Sequence, residues 1–420
     1  MFALTDRRMA YPSGHFSMIS TLMKPMLKLS NVDYTQDIQK SSAPHDNGRI
    51  AYLDGLRGIA IVLVVLFHSY SAWTDLIPAL KPFQNVLLLN TKSAGVQLFF
   101  FISGFVILMT LERSKGFAPF IFARWRRLFP AMLIASVMIY ATAPLLPERP
   151  LGQPRLIDLL PGLSLLGDRF WDVLRFCGIS PPLSLEVVFW SLYVEVFFYQ
   201  FFAALFLSRG RTSAIRWLIG VGVVTSLFHV NEQIHSEPFL TLQHIDAVLR
   251  ITHFGALFQL WHYTWFAAGA LAYCWTQNPE STRLKWTAIA CLIFGAATTF
   301  TYPVASGLVA MIAICAMLSH PFRRLLSLPV FTFLGFISYP LYLNHENMIV
   351  ALTIRIQAHW PMLPPILLPV LPIVLAGVIA TVVAKYVEPF TRRMIDALIT
   401  RMASGVRKPV TTGTMNITSD

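Results

Sequence analysis

Ten apolar stretches, each close to the length needed to cross a bilayer, recur along this chain of 420 residues. A transmembrane helix needs about 20 apolar residues, and backbone in lipid must satisfy its own hydrogen bonds. The stretches therefore predict an all-α, polytopic helical membrane protein with about ten transmembrane helices. They cover approximately residues 52–73, 93–111, 128–146, 185–207, 215–230, 256–275, 285–302, 304–319, 330–354 and 366–388.

The composition agrees with a protein whose main solvent is lipid. Hydrophobic residues make up 55% of the chain and charged residues 13%, about half of the fraction usual in soluble domains. This balance argues against a cytosolic enzyme, a disordered protein and a fibrous protein. The formal net charge of +12 indicates membrane anchoring rather than nucleic-acid binding, because the basic residues concentrate in alternate loops.

The placement of these basic residues predicts an orientation. With the N-terminus in the cytoplasm, every short cytoplasmic loop is basic and the short outer loops nearly lack Lys and Arg. Both termini are then cytoplasmic, and we expect a multi-pass protein of the inner (plasma) membrane. The predicted organisation is a flexible N-terminal tail at 1–50, a transmembrane domain at 51–395 and a C-terminal tail at 396–420.

Titratable residues inside the first stretch are candidate functional groups, because such residues are costly in lipid. Arg57 and His68 are eleven residues apart, so a helix places them on one face, about 16 Å apart along its axis. The alternatives are a snorkelling interfacial arginine and an interfacial histidine held by a hydrogen bond.

Two later stretches carry polar groups at comparable depth. Glu195 lies near the middle of the fourth stretch, where its alternative role is that of a structural hydrogen-bond partner. His345 and Glu346 fall in the outer half of the ninth stretch, whereas Glu186 is interpreted as a solvated acid at a helix start. Antiparallel helices permit His68, Glu195 and His345 to meet around one cavity.

The second stretch and the loop after it add two features. Ser103 and Gly104, set among aromatic residues, favour close helix contact. Arg124 and Arg127 lie in a basic cytoplasmic loop, where they either follow the positive-inside rule or bind phosphates. The sequence contains no zinc-binding spacing, nucleotide-binding loop or serine-esterase motif, and we predict no metal site.

Four sequence blocks, in this order, resemble the acyltransferase-3 family of integral membrane acyltransferases, which modify O-antigen, exopolysaccharides or macrolides. The blocks are 53–58 (LDGLRG) followed by His68, 95–105 (GVQLFFFISGF), 122–130 (FARWRRLFP) and 190–195 (WSLYVE). Segments 337–345 and 387–389 add weaker similarity, so the resemblance covers about residues 50–395.

The resemblance implies transfer of an acyl group, usually acetyl, from acyl-CoA to a hydroxyl of a saccharide or related acceptor. Arg57 and His68 correspond to the functional core of the family, and Glu195 corresponds to its glutamate. Arg124 and Arg127 match its arginine pair, so these two and Arg57 are expected to bind the phosphates of acyl-CoA. His68 would be a general base or an acyl carrier, and Glu195 would orient it.

The acceptor cavity is expected to involve Ser103, Tyr193 and His345. A second function class stays open, because intramembrane histidine and glutamate also serve proton relays. The same cavity would suit a non-enzymatic transporter or flippase of a glycan or lipid, and a scaffold for polysaccharide assembly is a weaker alternative. Only the enzyme would release free CoA thiol from acyl-CoA and an acceptor.

Overall fold

Helices form all of the regular secondary structure in the described residues, 50–92, 94–234, 255, 258–299 and 302–405 of this computed structural model. The all-α class expected from the sequence is therefore confirmed. The α-helices with described bounds are α1 Ala51–Tyr70, α2 Ala94–Leu111, α3 Phe117–Thr142, α4 Leu159–Ser164, α5 Phe189–Ile234, α6 Tyr263–Gln277, α7 Thr282–Ala297, α8 Pro303–Leu318, α9 His320–Leu326, α10 Pro329–Asn344, α11 Glu346–His359, α12 Val370–Val382 and α13 Glu388–Gly405.

Within the described residues, five helical segments are long and apolar enough to cross a membrane. A sixth is added if α8 and α9, which bend by 106° at their junction, form one broken span. The chain is thus a multi-pass membrane protein, while ten spans and two cytoplasmic termini stay predictions. The five segments are Ala51–Tyr70, Ala94–Leu111, Phe117–Leu145, Phe189–Asn231 and Pro365–Met402.

Two of the helical segments are broken at positions that matter below. α5 contains most of the fourth predicted stretch and all of the fifth. It is interrupted at Gly210, whose φ of 78° and ψ of 168° lie outside the helical region. The ninth stretch is divided between α10 and α11 at His345. Such a break leaves the first N–H groups of α11 in need of partners from elsewhere in the chain.

Close backbone contacts hold the central helices together. The most extensive packing joins α1 to α10 and α2 to α6. A Cβ atom on Gly335 of α10 would lie 1.9 Å from the Asp54 carbonyl oxygen, and one on Gly104 of α2 would lie 2.0 Å from that of Phe266. Only glycine permits these approaches, and the close contact predicted at Gly104 is confirmed.

The segment between α3 and α5, residues 143–188, is fastened by buried polar contacts. Arg149 donates from Nη2 to the carbonyl of Leu185 at 2.9 Å. Asp158 accepts from Arg155 Nη2 at 2.8 Å and from the backbone N–H of Leu183 at 2.9 Å. These bonds join both ends of the segment, which we call the α3–α5 segment.

The structure divides the chain into two units, and the packing described above belongs to the unit formed by residues 49–392. Of the predicted N-terminal tail, only Ile50 is among the described residues. α13 continues to Gly405, so residues 396–405 of the predicted C-terminal tail are helical. The rest of that tail lies outside the described residues.

Candidate active site

Two histidines meet at one end of the helix bundle, which we call the histidine end. His68 lies on the last turn of α1, and His345 lies at the break between α10 and α11. His345 Nε2 is 3.3 Å from His68 Nδ1, and the ring centroids are 5.0 Å apart. The predicted meeting of these two residues is therefore found in the structure.

Backbone carbonyls define which nitrogen of each ring carries the proton. His68 Nδ1 lies 2.9 Å from the Val64 carbonyl oxygen, and His345 Nδ1 lies 2.9 Å from that of Tyr342. A carbonyl only accepts, so each Nδ1 is assigned as a donor. In the neutral ring, His68 then keeps a lone pair on Nε2, which is the nitrogen that can accept a proton from a substrate.

A carboxylate faces this free nitrogen. Glu346 Oε1 lies 3.8 Å from His68 Nε2, and only 2% of the Glu346 side chain is exposed. Trp73 Nε1 donates to Oε1 at 3.1 Å, and the backbone N–H of Val188 donates to Oε2 at 3.2 Å. Because both oxygens accept hydrogen bonds, the carboxylate is held in place to stabilise a protonated His68.

Glu195 does not occupy the position beside His68 that the sequence suggested. Its Oε1 accepts hydrogen bonds from the hydroxyls of Ser103 and Tyr199. The carboxylate found beside His68 is Glu346 rather than Glu195.

Glu195 instead belongs to a second cluster, at the end of the bundle that we call the arginine end. Arg57 and Arg124 each interact electrostatically with Arg127, Glu195 and Tyr199. The predicted grouping of the three arginines is therefore found in the structure. Arg57 and His68 share the continuous helix α1, so the two clusters lie about 16 Å apart along its axis.

The arginine end carries more positive than negative charge. Arg57 Nη1 pairs with Asp54 Oδ1 at 3.5 Å. Within the part of the chain that the structure describes, Arg124 and Arg127 form no ion pair, and Arg124 Nε is buried without a hydrogen-bond partner. A buried guanidinium nitrogen without a partner is costly, so this cluster is suited to an anionic ligand such as a phosphate.

The remaining predicted cavity residues lie at different places. Ser103 is buried and bonded to Glu195, so it belongs to the arginine cluster. Tyr193 contacts the α3–α5 segment, where its hydroxyl lies 3.1 Å from Ser184 Oγ. His345 contacts His68.

Sequence reasoning did not assign a role to three residues that the structure brings into the two clusters. Tyr199 follows Glu195 by one helical turn, which is a recognisable spacing. Glu346 directly follows His345, but the sequence does not show that the helix break places Glu346, and not Glu195, beside His68. Glu186 was interpreted as solvated, yet it is 1% exposed and its Oε2 accepts the backbone N–H of Asn347 at 3.1 Å.

The described residues contain no group of three or more histidine, cysteine or acidic side chains arranged to hold a metal ion. Acid–base chemistry at His68 and anion binding at the arginine end are the chemical capacities that the geometry provides.

The chain is a multi-pass helical membrane protein, and its bundle contains buried polar groups suited to acid–base chemistry. The sequence profile described as "Acyltransferase domain" matches residues 50–387. The chain belongs to this family, the acyltransferase-3 family, which confirms the resemblance seen in the sequence motifs.

Individual relatives agree with this assignment. Proteins of Staphylococcus aureus strains COL and N315, each named "Putative O-acetyltransferase", are 24% identical over 336 residues, covering 70% of this chain and 49% of the relative. An "O-acetyl transferase" of Shigella phage Sf6 is 34% identical over 90 residues, covering 21% of this chain and 25% of the phage protein. The chain spans about half the length of the staphylococcal relatives. No solved structure matches it.

Proposed function

We propose that this protein is an acyl-CoA-dependent O-acyltransferase of the inner membrane. It would move an acyl group, most simply acetyl, to a hydroxyl of a saccharide or related acceptor. The observation that carries the proposal is the free Nε2 of His68 opposite the buried carboxylate of Glu346. The relatives named as O-acetyltransferases support acetyl as the group transferred, and the motif resemblance supports a saccharide acceptor.

The arginine end is the proposed binding site for the phosphates of acyl-CoA. Arg124 and Arg127 form no ion pair among the described residues, and Arg124 interacts with Glu195 only electrostatically, so both guanidinium groups can still contact a ligand. Arg57 adds a third guanidinium from the helix that carries His68. This role requires the arginine end to face the cytoplasm, as the basic loops predict.

His68 acts as the general base in the proposed reaction. Its Nε2 takes the proton of the acceptor hydroxyl as the oxygen attacks the thioester carbonyl carbon. The C–S bond then breaks, and the imidazolium returns the proton to the departing CoA thiolate, so no net proton is released. Glu346 stabilises the imidazolium formed in between, which favours a general base over an acyl-histidine carrier.

Glu195 has a different proposed role from the one suggested by the motif alone. Its carboxylate interacts with Arg57 and Arg124 and accepts hydroxyl hydrogen bonds from Ser103 and Tyr199. We assign it to holding the guanidinium groups in place before the donor binds. It is thus a positioning residue for the phosphate site.

Release of CoA thiol tests the proposal. Membranes that contain the protein, given acetyl-CoA and an extract of cell-envelope saccharides, should release thiol, and His68→Ala should lower the rate by at least about 100-fold. The matched control is His359→Ala, because His359 is exposed at the end of α11, where its Nδ1 bonds to the Arg355 carbonyl of the same helix. Equal rates for wild type and His68→Ala would refute the mechanism.

The transporter alternative predicts a different result in cells. Mass spectrometry of surface glycans should show one acyl group lost in cells that lack the gene, and the group should return with wild type but not with His68→Ala. Loss of a whole glycan from the outside, with its unmodified form retained inside, would instead favour a transporter.

A further inference from the structure

A second buried carboxyl group lies directly beside the proposed catalytic cluster. Glu186 is 1% exposed and precedes α5 in the chain. Its Oε2 accepts the backbone N–H of Asn347, in the first turn of α11, at 3.1 Å. The proposed mechanism does not use this carboxyl group, and burial of an acid requires a physical explanation.

The two acids are held by reciprocal contacts. Glu186 accepts a hydrogen bond from the residue after Glu346, and Glu346 Oε2 accepts one from Val188, two residues after Glu186. Asn347 strengthens the junction, because its Nδ2 donates to the Leu185 carbonyl at 2.8 Å. Both carboxyl groups are therefore fixed close together, and they interact electrostatically.

The surrounding charges do not compensate two anions. Arg149, from the α3–α5 segment, is the cation that interacts with Glu186. The other titratable groups that face the pair are His68 on α1, His345 at the α10–α11 break and Tyr342 on α10. With one positive charge nearby, a single carboxylate leaves the region electrically neutral, whereas two leave an excess buried negative charge.

The hydrogen bonds indicate which acid is charged. Both oxygens of Glu346 accept N–H donors, as expected for an ionised carboxylate. Glu186 accepts the Asn347 backbone N–H at Oε2 and also interacts with the Asn347 side chain, so all of its N–H donors come from one residue and Oε1 is the oxygen assigned a proton.

We propose that Glu186 is a protonated carboxylic acid that caps α11 and positions the charged Glu346 beside His68. This inference rests on the proposed function for its catalytic meaning. Its structural part, one proton held by the acid pair, does not depend on activity. A neutral Glu186 supplies the hydrogen bond that fixes the start of α11 without competing for the charge that stabilises the imidazolium.

Infrared difference spectroscopy tests the structural part on the purified full-length protein. The wild-type minus Glu186→Gln spectrum should contain a carboxylic-acid C=O band that shifts in D₂O. The control is Glu148→Gln, because Glu148 is a solvent-accessible carboxylate bonded to Arg355 and should contribute no such band. Absence of the band from the Glu186→Gln difference spectrum would overturn the inference, whether or not the protein proves to be an enzyme.

Rescue by a neutral isostere tests the catalytic part. Glu186→Ala should lower acyl transfer about tenfold or more, because α11 loses its cap and Glu346 is no longer fixed. Glu186→Gln should restore most of that loss, since glutamine accepts the same N–H while carrying no charge. If Glu186→Gln were as defective as Glu186→Ala while Glu346→Gln stayed active, Glu186 would be the ionised partner and the assignment would be wrong.

Discussion

His68 receives its proposed reactivity from groups that are far apart in the sequence. Val64 lies one turn earlier on the same helix, whereas His345 and Glu346 come from a helix break more than 270 residues later. Val64 orients the ring, and Glu346 favours its protonated form. The chemistry of this one side chain therefore depends on the packing of α1 against α10.

Removing the charge of Glu346 should slow the proposed reaction. Glu346→Gln keeps the size and hydrogen-bonding shape of the side chain, but it no longer stabilises the imidazolium of His68. We expect a decrease of about 100-fold in the rate of thiol release with little change in the KM for acetyl-CoA. A Glu346→Gln protein that transfers acetyl at the wild-type rate would show that this carboxylate is structural.

A change at Arg124 should affect donor binding instead. Arg124→Gln removes a guanidinium that has a buried unpaired nitrogen and forms no ion pair among the described residues. The KM for acetyl-CoA should rise about tenfold, with a smaller effect on kcat, because a charge-assisted contact to a phosphate is lost. Arg211→Gln is the control, since Arg211 pairs with Glu112 instead. Similar KM values for both variants would argue against a donor site at the arginine end.

The residues of the candidate site were easier to predict from the sequence than the contacts between them. The eleven-residue spacing places Arg57 and His68 on one face, because helical geometry depends only on sequence separation. Which carboxylate faces His68 depends on tertiary packing and on the break at His345. Neither is encoded in local hydropathy, so the sequence predicted the meeting of His345 with His68 but did not identify Glu346 as the carboxylate beside them.

At the scale of helices, the bundle depends on glycines, which have no side chain, at the closest helix contacts. α2 and α6 approach until a Cβ on Gly104 would lie 2.0 Å from the Phe266 carbonyl oxygen. The small residues among aromatic ones predicted a close helix contact at this position. They did not predict that α6 would be the partner, because many apolar helices offer similar surfaces in lipid.

A methyl group at this contact should therefore destabilise the fold. Gly104→Ala forces α2 and α6 apart, at a cost of about 1–3 kcal/mol typical of overpacking. The matched control is Gly377→Ala in α12, where an added Cβ meets no atom within 4 Å. Thermal unfolding in detergent should show a lower Tm for Gly104→Ala only. Equal Tm values for the two variants would mean that the α2–α6 contact is not tight in solution.

At the scale of the whole molecule, the α3–α5 segment is held by charged contacts, among them the ion pair of Arg155 with Asp158 at 2.8 Å. Burial would raise the pKa of Asp158, but hydrogen bonds from Arg155 and from the backbone N–H of Leu183 outweigh it, so the pKa is lowered below the usual 3.8. A carboxyl group with a lowered folded-state pKa stabilises the protein at neutral pH. That contribution disappears as the pH falls through the lowered pKa.

Acidification should therefore remove the stabilisation of the folded state that ionised Asp158 provides. The Tm of wild type should exceed that of Asp158→Asn at neutral pH, and the difference should shrink as the pH falls below about 4. Scans of Tm against pH in one detergent, for both proteins, measure this directly. A difference that stays constant down to low pH would indicate that the carboxylate charge has no part in holding the segment.

Because α1 carries Arg57 at one end and His68 near the other, it would set the length of the proposed acyl donor. A donor must present an anionic group and an activated carbonyl about 16 Å apart to engage both at once. Acyl-CoA separates its phosphates from its thioester by a long flexible arm, whereas an acyl phosphate joins the two groups directly. Under the proposed function, the spacing along one helix would discriminate between donors by length, even where their reactive carbonyls are alike.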